Sequence, residues 1–427
     1  MLQIMTKSPS LRPSTYVGPR SAIEIMACKL LFGVMIPNAR TRISFDAEND
    51  SPDDDADFEF VLAPPRLWTA IKILIAPNLW AGESFTAGKW YLRKGELTDF
   101  LEAVLKDAPR EFRWYYEFTA TLRGARYYLG QYVLNRYYTR KVKRHYEVDS
   151  RVYEMILDPE MVYTCGFFED GSESLAAAQR NKLTAAIRRM ELPEGPVKVL
   201  DIGCGWGATA RALVRGHAQA EVCGLSISKG QIEWATRHDS QTLIPDQLRR
   251  IEYRVEDYAD HDRLGVYDAV CVIGMIEHVG LGGYDTFFDR VYKFLKPGGT
   301  ALVHTIVSPM PADPTNRWID RHIITGGYSP SVSELVRAIE RYPFRIAGLY
   351  LYPPRHYRRT IACWLENFKS NVGHLSHYLE QLGESETKAD KFIRTWLFYL
   401  SGVRNMFSED DPRSHQIIQV AIKKIAT

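Results

Sequence analysis

The stretch "VLDIGCGWG" (199–207) constrains this chain more than any other. An apolar run with β-branched residues ends in Asp-x-Gly-x-Gly-x-Gly, and a helix-like segment, "ATARALVRGH", follows at once. Glycines belong where backbone turns tightly and approaches a ligand. A helix that begins after Gly207 offers its free N–H groups to that ligand. The spacing GxGxG is not the GxGxxG of dinucleotide sites, so nicotinamide binding is only the second reading. The pattern then repeats: "AEVCGLSIS" reads as a strand, "KGQIEWATRHDS" as a helix and "IEYRVEDY" as a third strand. "YDAVCVIGMIEH" reads as a fourth strand, "YDTFFDRVYKFLKPGG" as a helix with a Pro-Gly stop, and "TALVHTIV" as a fifth strand. Strand–helix alternation from about Val197 to about Ile306 predicts an α/β fold, its parallel sheet covered on both faces. The tail from about Pro330 reads as mostly helical.

The chain has 427 residues, room for more than this one sheet. We read a loose tail over 1–20, a first domain over 21–130, a basic and aromatic linker over 131–150 and a second domain over 151–427. The acidic run at 46–59 lacks the spacing of a calcium loop and reads as a solvated turn. Net charge is +2, so no global field draws the protein to nucleic acid. The six cysteines form no CxxC pair, which argues against a disulfide framework or a zinc site; no metal is expected, and a reducing, cytoplasmic setting fits. The start has no long apolar core of a secretory signal. No window approaches the ~20 apolar residues that span a bilayer, so any meeting with lipid is at the surface. Residues 114–146 interleave Tyr and Trp with Arg and Lys. That reads as a linking helix with a solvated basic face or as a surface for anionic headgroups, with nucleic acid as the third reading.

Upstream of the glycine loop, "DPEMVYTCGFFED" (158–170) places Cys165 among aromatics. By itself the stretch leaves a nucleophile, a metal ligand and a small buried residue all open. No Cys/His signature surrounds it that would activate a thiolate.

The glycine loop resembles motif I of the class I S-adenosylmethionine-dependent methyltransferases. Strand two lacks the usual terminal acid and ends "GLSISKGQ". That ending, with "GMIEHVG" after strand four, "LKPGG" and "HTI" through strand five, and "HYEVDSRVYEMILDPEMVYTCGFF" (145–168), resembles one family in order and spacing. This is the family of cyclopropane-fatty-acyl-phospholipid synthases and mycolic acid cyclopropane synthases. The resemblance covers roughly residues 140–420, and "GESFTAGKWYLRKGELTDFL" (82–100) is similar to the N-terminal domain of the longer bacterial members.

The resemblance implies a Rossmann-like, mostly parallel seven-stranded sheet with helical insertions over the acyl site, plus a smaller N-terminal α+β domain. It implies methyl transfer from S-adenosylmethionine to a cis double bond of a phospholipid acyl chain. The resulting carbocation would lose a proton to bound bicarbonate, and a ring would close. Carried over by position, Cys165 and Ile306 would offer main-chain groups to bicarbonate, and Glu277, His304 and Tyr357 side chains. Glu277 would have to share a proton with that anion, because two unprotonated anions repel. The cofactor set would be Tyr163, Thr164, Asp201, Gly203, Gly205, Gly207, Ser226, Ile227, Gln231 and Asp257. Ser226 and Gln231 would do the ribose work of the missing acid, and Asp257 would take the adenine amino group, though a turn residue also fits there. Tyr146, Tyr153 and Gly274 would face the substrate. The implied partner is a phospholipid bilayer met peripherally on its inner face, with a homodimer allowed.

Several positions depart from the family pattern. "HYDxGN" becomes "HYEVDS", the usual Phe before "EHVG" is Ile276, the usual Arg of "DYR" is Ala259, and "FPGG" is reduced to "ITGG" at 324–327. They keep open a relative that methylates the same alkene and ends with a branched or methylene-bearing product.

Overall fold

The computed structural model describes residues 26–28, 41–44, 56–63, 66–107, 148–311 and 315–426. Tyr146 and the linker up to residue 147 lie outside the described residues. The described residues form two compact units. One comprises those of 1–122 with 316–323 and 368–405; the other comprises those of 123–315, 324–367 and 406–427.

The first unit holds a three-stranded sheet of β1 (Thr41–Ser44), β2 (Phe58–Leu62) and β3 (Trp90–Lys94), in that order. β1 and β2 run parallel, and β2 and β3 antiparallel. Helices Arg66–Ile75, Pro77–Thr86 and Leu97–Asp107 complete an α+β arrangement. Its core is aromatic. Phe60 stacks on Trp90 at 5.1 Å, and Phe398 packs 5.5 Å from Phe85 and 4.9 Å from Trp318. A Cβ on Gly82 would lie 2.6 Å from the Trp318 indole, so only glycine permits that approach. Glu83 accepts from His322 at 2.9 Å and pairs with Arg321 at 3.1 Å. Residues from deep within the 151–427 stretch therefore build this core.

The second unit holds the seven-stranded sheet, ordered β6-β5-β4-β7-β8-β10-β9. Its strands are β4 (Val197–Ile202), β5 (Ala220–Ser226), β6 (Ile251–Val255), β7 (Tyr267–Ile273), β8 (Leu295–Val307), β9 (Phe344–Tyr352) and β10 (Gln416–Lys424). The strands from β6 to β8 are parallel neighbours, and β10 runs antiparallel to β8 and β9. Val199, Leu200, Val270, Cys271 and Val272 are fully buried, which is why the central strands read as continuous apolar runs.

Three readings change. The fourth strand stops at Ile273, and Ile276–His278 forms a 3-10 turn. The helix Tyr284–Phe294 stops before the Pro-Gly, and "LKPGG" already belongs to β8. The tail is mostly helical as read, through Val332–Ile339, Arg355–Gln381 and Glu386–Arg404, but it gains two strands, β9 and β10. Six successive residues of β10, Ile417–Ile422, are buried, and such a run has no period to tell it from a buried helix.

Candidate active site

A cavity opens at the C-terminal ends of β4, β5, β6 and β7, the end at which parallel sheets bind ligands. Gly203 and Gly205 line it. Gly207 does not. It caps helix Ala208–Gly216 at φ +85°, and a Cβ there would meet Tyr253 Oη at 2.1 Å. Packing by itself thus demands glycine here. Asp201 also lies off the cavity wall, buried, with no partner for Oδ2. Burial pushes its carboxyl from 3.8 up to about 7, with Lys182 opposing.

Ser226, Ile227 and Gln231 line the cavity where an acid was missing. Ser226 Oγ donates to Gln231 Oε1 at 2.8 Å and accepts from Ser228 N at 3.1 Å. Asp257 lines the cavity and also accepts from Ala259 N at 2.9 Å, the bond of a turn residue. Gly274 lines the far wall at φ +65°, where a Cβ would sit 2.4 Å from Thr164 Cγ2.

The "DPEMVYTCGFF" stretch forms the remaining wall. Asp158 accepts from Val162 N and Glu160 N at 2.9 and 3.1 Å, closing a turn that holds Met161 at φ +58°. Fully buried Arg211 locks this turn to the glycine loop. It donates to Glu160 O at 2.8 Å and Trp206 O at 2.7 Å and pairs with Asp239 at 3.0 Å. Tyr163 and Thr164 line the cavity. Tyr153 is wholly buried against Tyr163 and Trp206, at 5.2 and 4.8 Å, so it shapes the wall from behind rather than presenting surface to a substrate. The first turns of helix Arg355–Gln381 hold the rest, with Gly166 N donating to Thr360 Oγ1 at 2.9 Å and Phe168 N to His356 Nδ1 at 3.1 Å.

Four of the five expected anion-site residues lie close together around β8. Cys165 packs with Phe167 and Ile417, and against Ile306 and Tyr357. Glu277, nearly buried, accepts from Ile306 N at 2.9 Å through Oε1, while Oε2 has no partner. The Ile306 N–H expected to meet an anion is therefore given to Glu277 here. Burial raises the Glu277 carboxyl, which favours its protonated form. His304, the fifth, faces the same way on β8, its ring 6.0 Å from that of Phe167. Burial first, then Lys182 and Arg189, hold it far below its usual range, so it is neutral. Gln419 Nε2 lies 3.1 Å from His304 Nδ1, and Arg189 donates to Gln419 Oε1. Since Arg only donates, the Gln419 amide turns its NH2 to Nδ1, and the imidazole proton sits on Nε2. Cys165 is 1% exposed, and burial pushes its thiol far up, away from thiolate chemistry.

Two contributors were not legible as site residues. Lys182 lines the cavity at 1% exposure and donates to Thr164 Oγ1 at 3.0 Å. Its signal was available: Ala178, Gln179, Lys182, Leu183 and Ala186 share the buried face of helix Leu175–Arg189, an unusual place for lysine. Gln419 gave no signal, because nothing marked its stretch as a strand.

Known proteins share this fold and much of this sequence. The family model described as mycolic acid cyclopropane synthetase matches residues 134–417. The protein is 28% identical over 352 residues to the cyclopropane-fatty-acyl-phospholipid synthase of Escherichia coli K12, a match spanning 81% of this sequence and 84% of that one. It is 29% identical over 335 residues to the tuberculostearic acid methyltransferase UfaA1 of Mycobacterium tuberculosis, spanning 75% and 73%. In fold it resembles the mycolic acid cyclopropane synthase CmaA1 solved with SAH and CTAB, with a TM-score of 0.58 and 24% identity over 67% of this protein and 98% of that one.

Proposed function

The protein belongs to the mycolic acid cyclopropane synthetase family, an S-adenosylmethionine-dependent methyltransferase by fold, and on that premise we propose that it builds a cyclopropane ring into an unsaturated phospholipid acyl chain. The supporting observation is the buried group beside the cavity: Glu277 with an unfilled Oε2, neutral His304 with its proton on Nε2, and Cys165, Ile306 and Tyr357 packed together.

The alkene is a weak nucleophile, so holding it in line with the sulfonium supplies much of the rate. Its π electrons form a bond to the methyl carbon, the carbon–sulfur bond breaks, and S-adenosylhomocysteine and a carbocation on the lipid remain. A proton then leaves the transferred methyl and the freed pair closes the ring. Bicarbonate, when bound, supplies the base for that proton. The residues fit such an anion: a raised Glu277 carboxyl offers a proton to it, and His304 Nε2–H is a donor without positive charge. The apolar packing of Phe167, Ile417 and Ile306 keeps water from the cation.

Phospholipid acyl groups are presented at a bilayer, so the encounter is proposed at its inner surface, from the cytoplasm, by a monomer or a homodimer. Among the described residues no helix is long and apolar enough to cross a membrane. The second reading is a lipid methyltransferase that methylates carbon and ends with a branched or methylene product; the relative named a tuberculostearic acid methyltransferase favours it.

Purified protein, S-adenosylmethionine and monounsaturated phospholipid vesicles test both. Ring formation adds one methylene's mass and removes the double bond; a methylated product that keeps its unsaturation refutes the cyclopropane reading. Glu277→Gln should lower product formation by about a hundredfold and leave the affinity for S-adenosylhomocysteine nearly unchanged. Unaltered turnover would remove Glu277 from the chemistry.

A further inference from the structure

We propose that Lys182 is the anion-binding group of this cavity, and that with Thr164 it takes the carboxylate of the methionyl part of S-adenosylmethionine; this rests on the methyltransferase reading above. Lys182 is the one lysine or arginine among the described residues lining the cavity. The cavity's acids, Glu256 and Asp257, follow β6, whereas Thr164 stands over Gly274 at the end of β7. In the sheet order β6-β5-β4-β7 these are opposite sides of the cavity. An adenosyl amino acid laid across the strands with its base toward Asp257 brings its amino-acid end to Lys182.

The ammonium is left incomplete by the protein. It has three donors, and Thr164 Oγ1 accepts from one. Among the described residues no carboxylate lies within 4.0 Å of Nζ. Asp158 and Asp201 act on it only at longer range, and Asp158 already serves Val162 N and Glu160 N. Burial lowers its pKa to about 8, so it stays charged at neutral pH. A buried charge without a close counter-ion is unfavourable, and an anion arriving with the ligand relieves that.

The test compares S-adenosylhomocysteine with 5′-methylthioadenosine, which keeps the adenosyl sulfur but lacks the amino acid. Calorimetry on the wild type and K182M should show the first ligand weakened about tenfold or more and the second unchanged within about twofold. Unchanged affinity for S-adenosylhomocysteine, or equal loss for both ligands, overturns the assignment. So does a K182M protein that binds S-adenosylhomocysteine normally but needs more bicarbonate to turn over. Should K182M not fold, the wild type is titrated with decarboxylated S-adenosylhomocysteine. Binding about tenfold weaker than the parent supports the proposal, and equal binding overturns it. A wild type that binds none of these ligands refutes the methyltransferase reading itself, and this inference with it.

Discussion

Asp201→Asn removes one titration from beneath the glycine loop and leaves the side chain's shape. In the folded protein burial raises this carboxyl from 3.8 to about 7, and the charge of Lys182 holds it from rising further. Between those values the folded state holds a proton that the unfolded state has released. Folding there takes up a proton, so stability falls as pH rises. The contribution is fully present below pH 3.8 and is lost by about pH 7. At about 1.4 kcal/mol per pH unit, the whole swing comes to about 4 kcal/mol. Asp201 is 1% exposed, so solvent does little to screen it. Asn does not titrate, and its pH-stability curve lacks this fall. Denaturant unfolding of both proteins from about pH 4.5 to pH 8 should find the variant no more stable than wild type at the acid end and several kcal/mol better placed, relative to it, at the alkaline end. Parallel curves would show that Asp201 titrates normally and that the buried, unfilled Oδ2 carries no cost.

The other expectations are simpler to measure. Cys165→Ser should keep activity within about tenfold, because a thiol held far above its usual pKa is no nucleophile; near-total loss in a folded variant would bring the sulfur into the reaction. Arg211→Met should cost about 3–5 kcal/mol in unfolding free energy by stranding Glu160 and Asp239, and should weaken S-adenosylhomocysteine in calorimetry by loosening the Met161 turn. A melting temperature equal to wild type would mean that the guanidinium network is ornamental.

Strands β4 to β7 were legible because each ends in a marked turn: Gly203 after β4, Ser226 closing β5, Asp257 after β6 and Gly274 after β7. β9 and β10 were not. They pair antiparallel, have no glycine loop, and β10 is buried on both faces, so only the family resemblance supplied the seven strands. Motif position also brought Cys165, Glu277, Ile306 and Tyr357 together in space. It could not separate ligand contact from support, since both demand a fixed residue type. The approach of Tyr253 already requires Gly207, and Tyr153 packs into the Tyr163–Trp206 stack. Lys182 sat among the ordinary charges of a helix, and only its burial sets it apart.

The first unit closes on itself late in synthesis. Its sheet comes from residues 41–94, yet Trp318 and Phe398 are needed to cover Phe85 and Trp90, and Asn405 Nδ2 bonds Thr98 O across a separation of 307 positions. Contacts that far apart are slow to form and expensive in loop entropy. The ribosome delivers all three strands of this unit and six of the seven strands of the other sheet before Phe398 arrives. A nascent or truncated polypeptide that stops after residue 130 thus has an uncovered aromatic face, a natural client for chaperones rather than a finished domain.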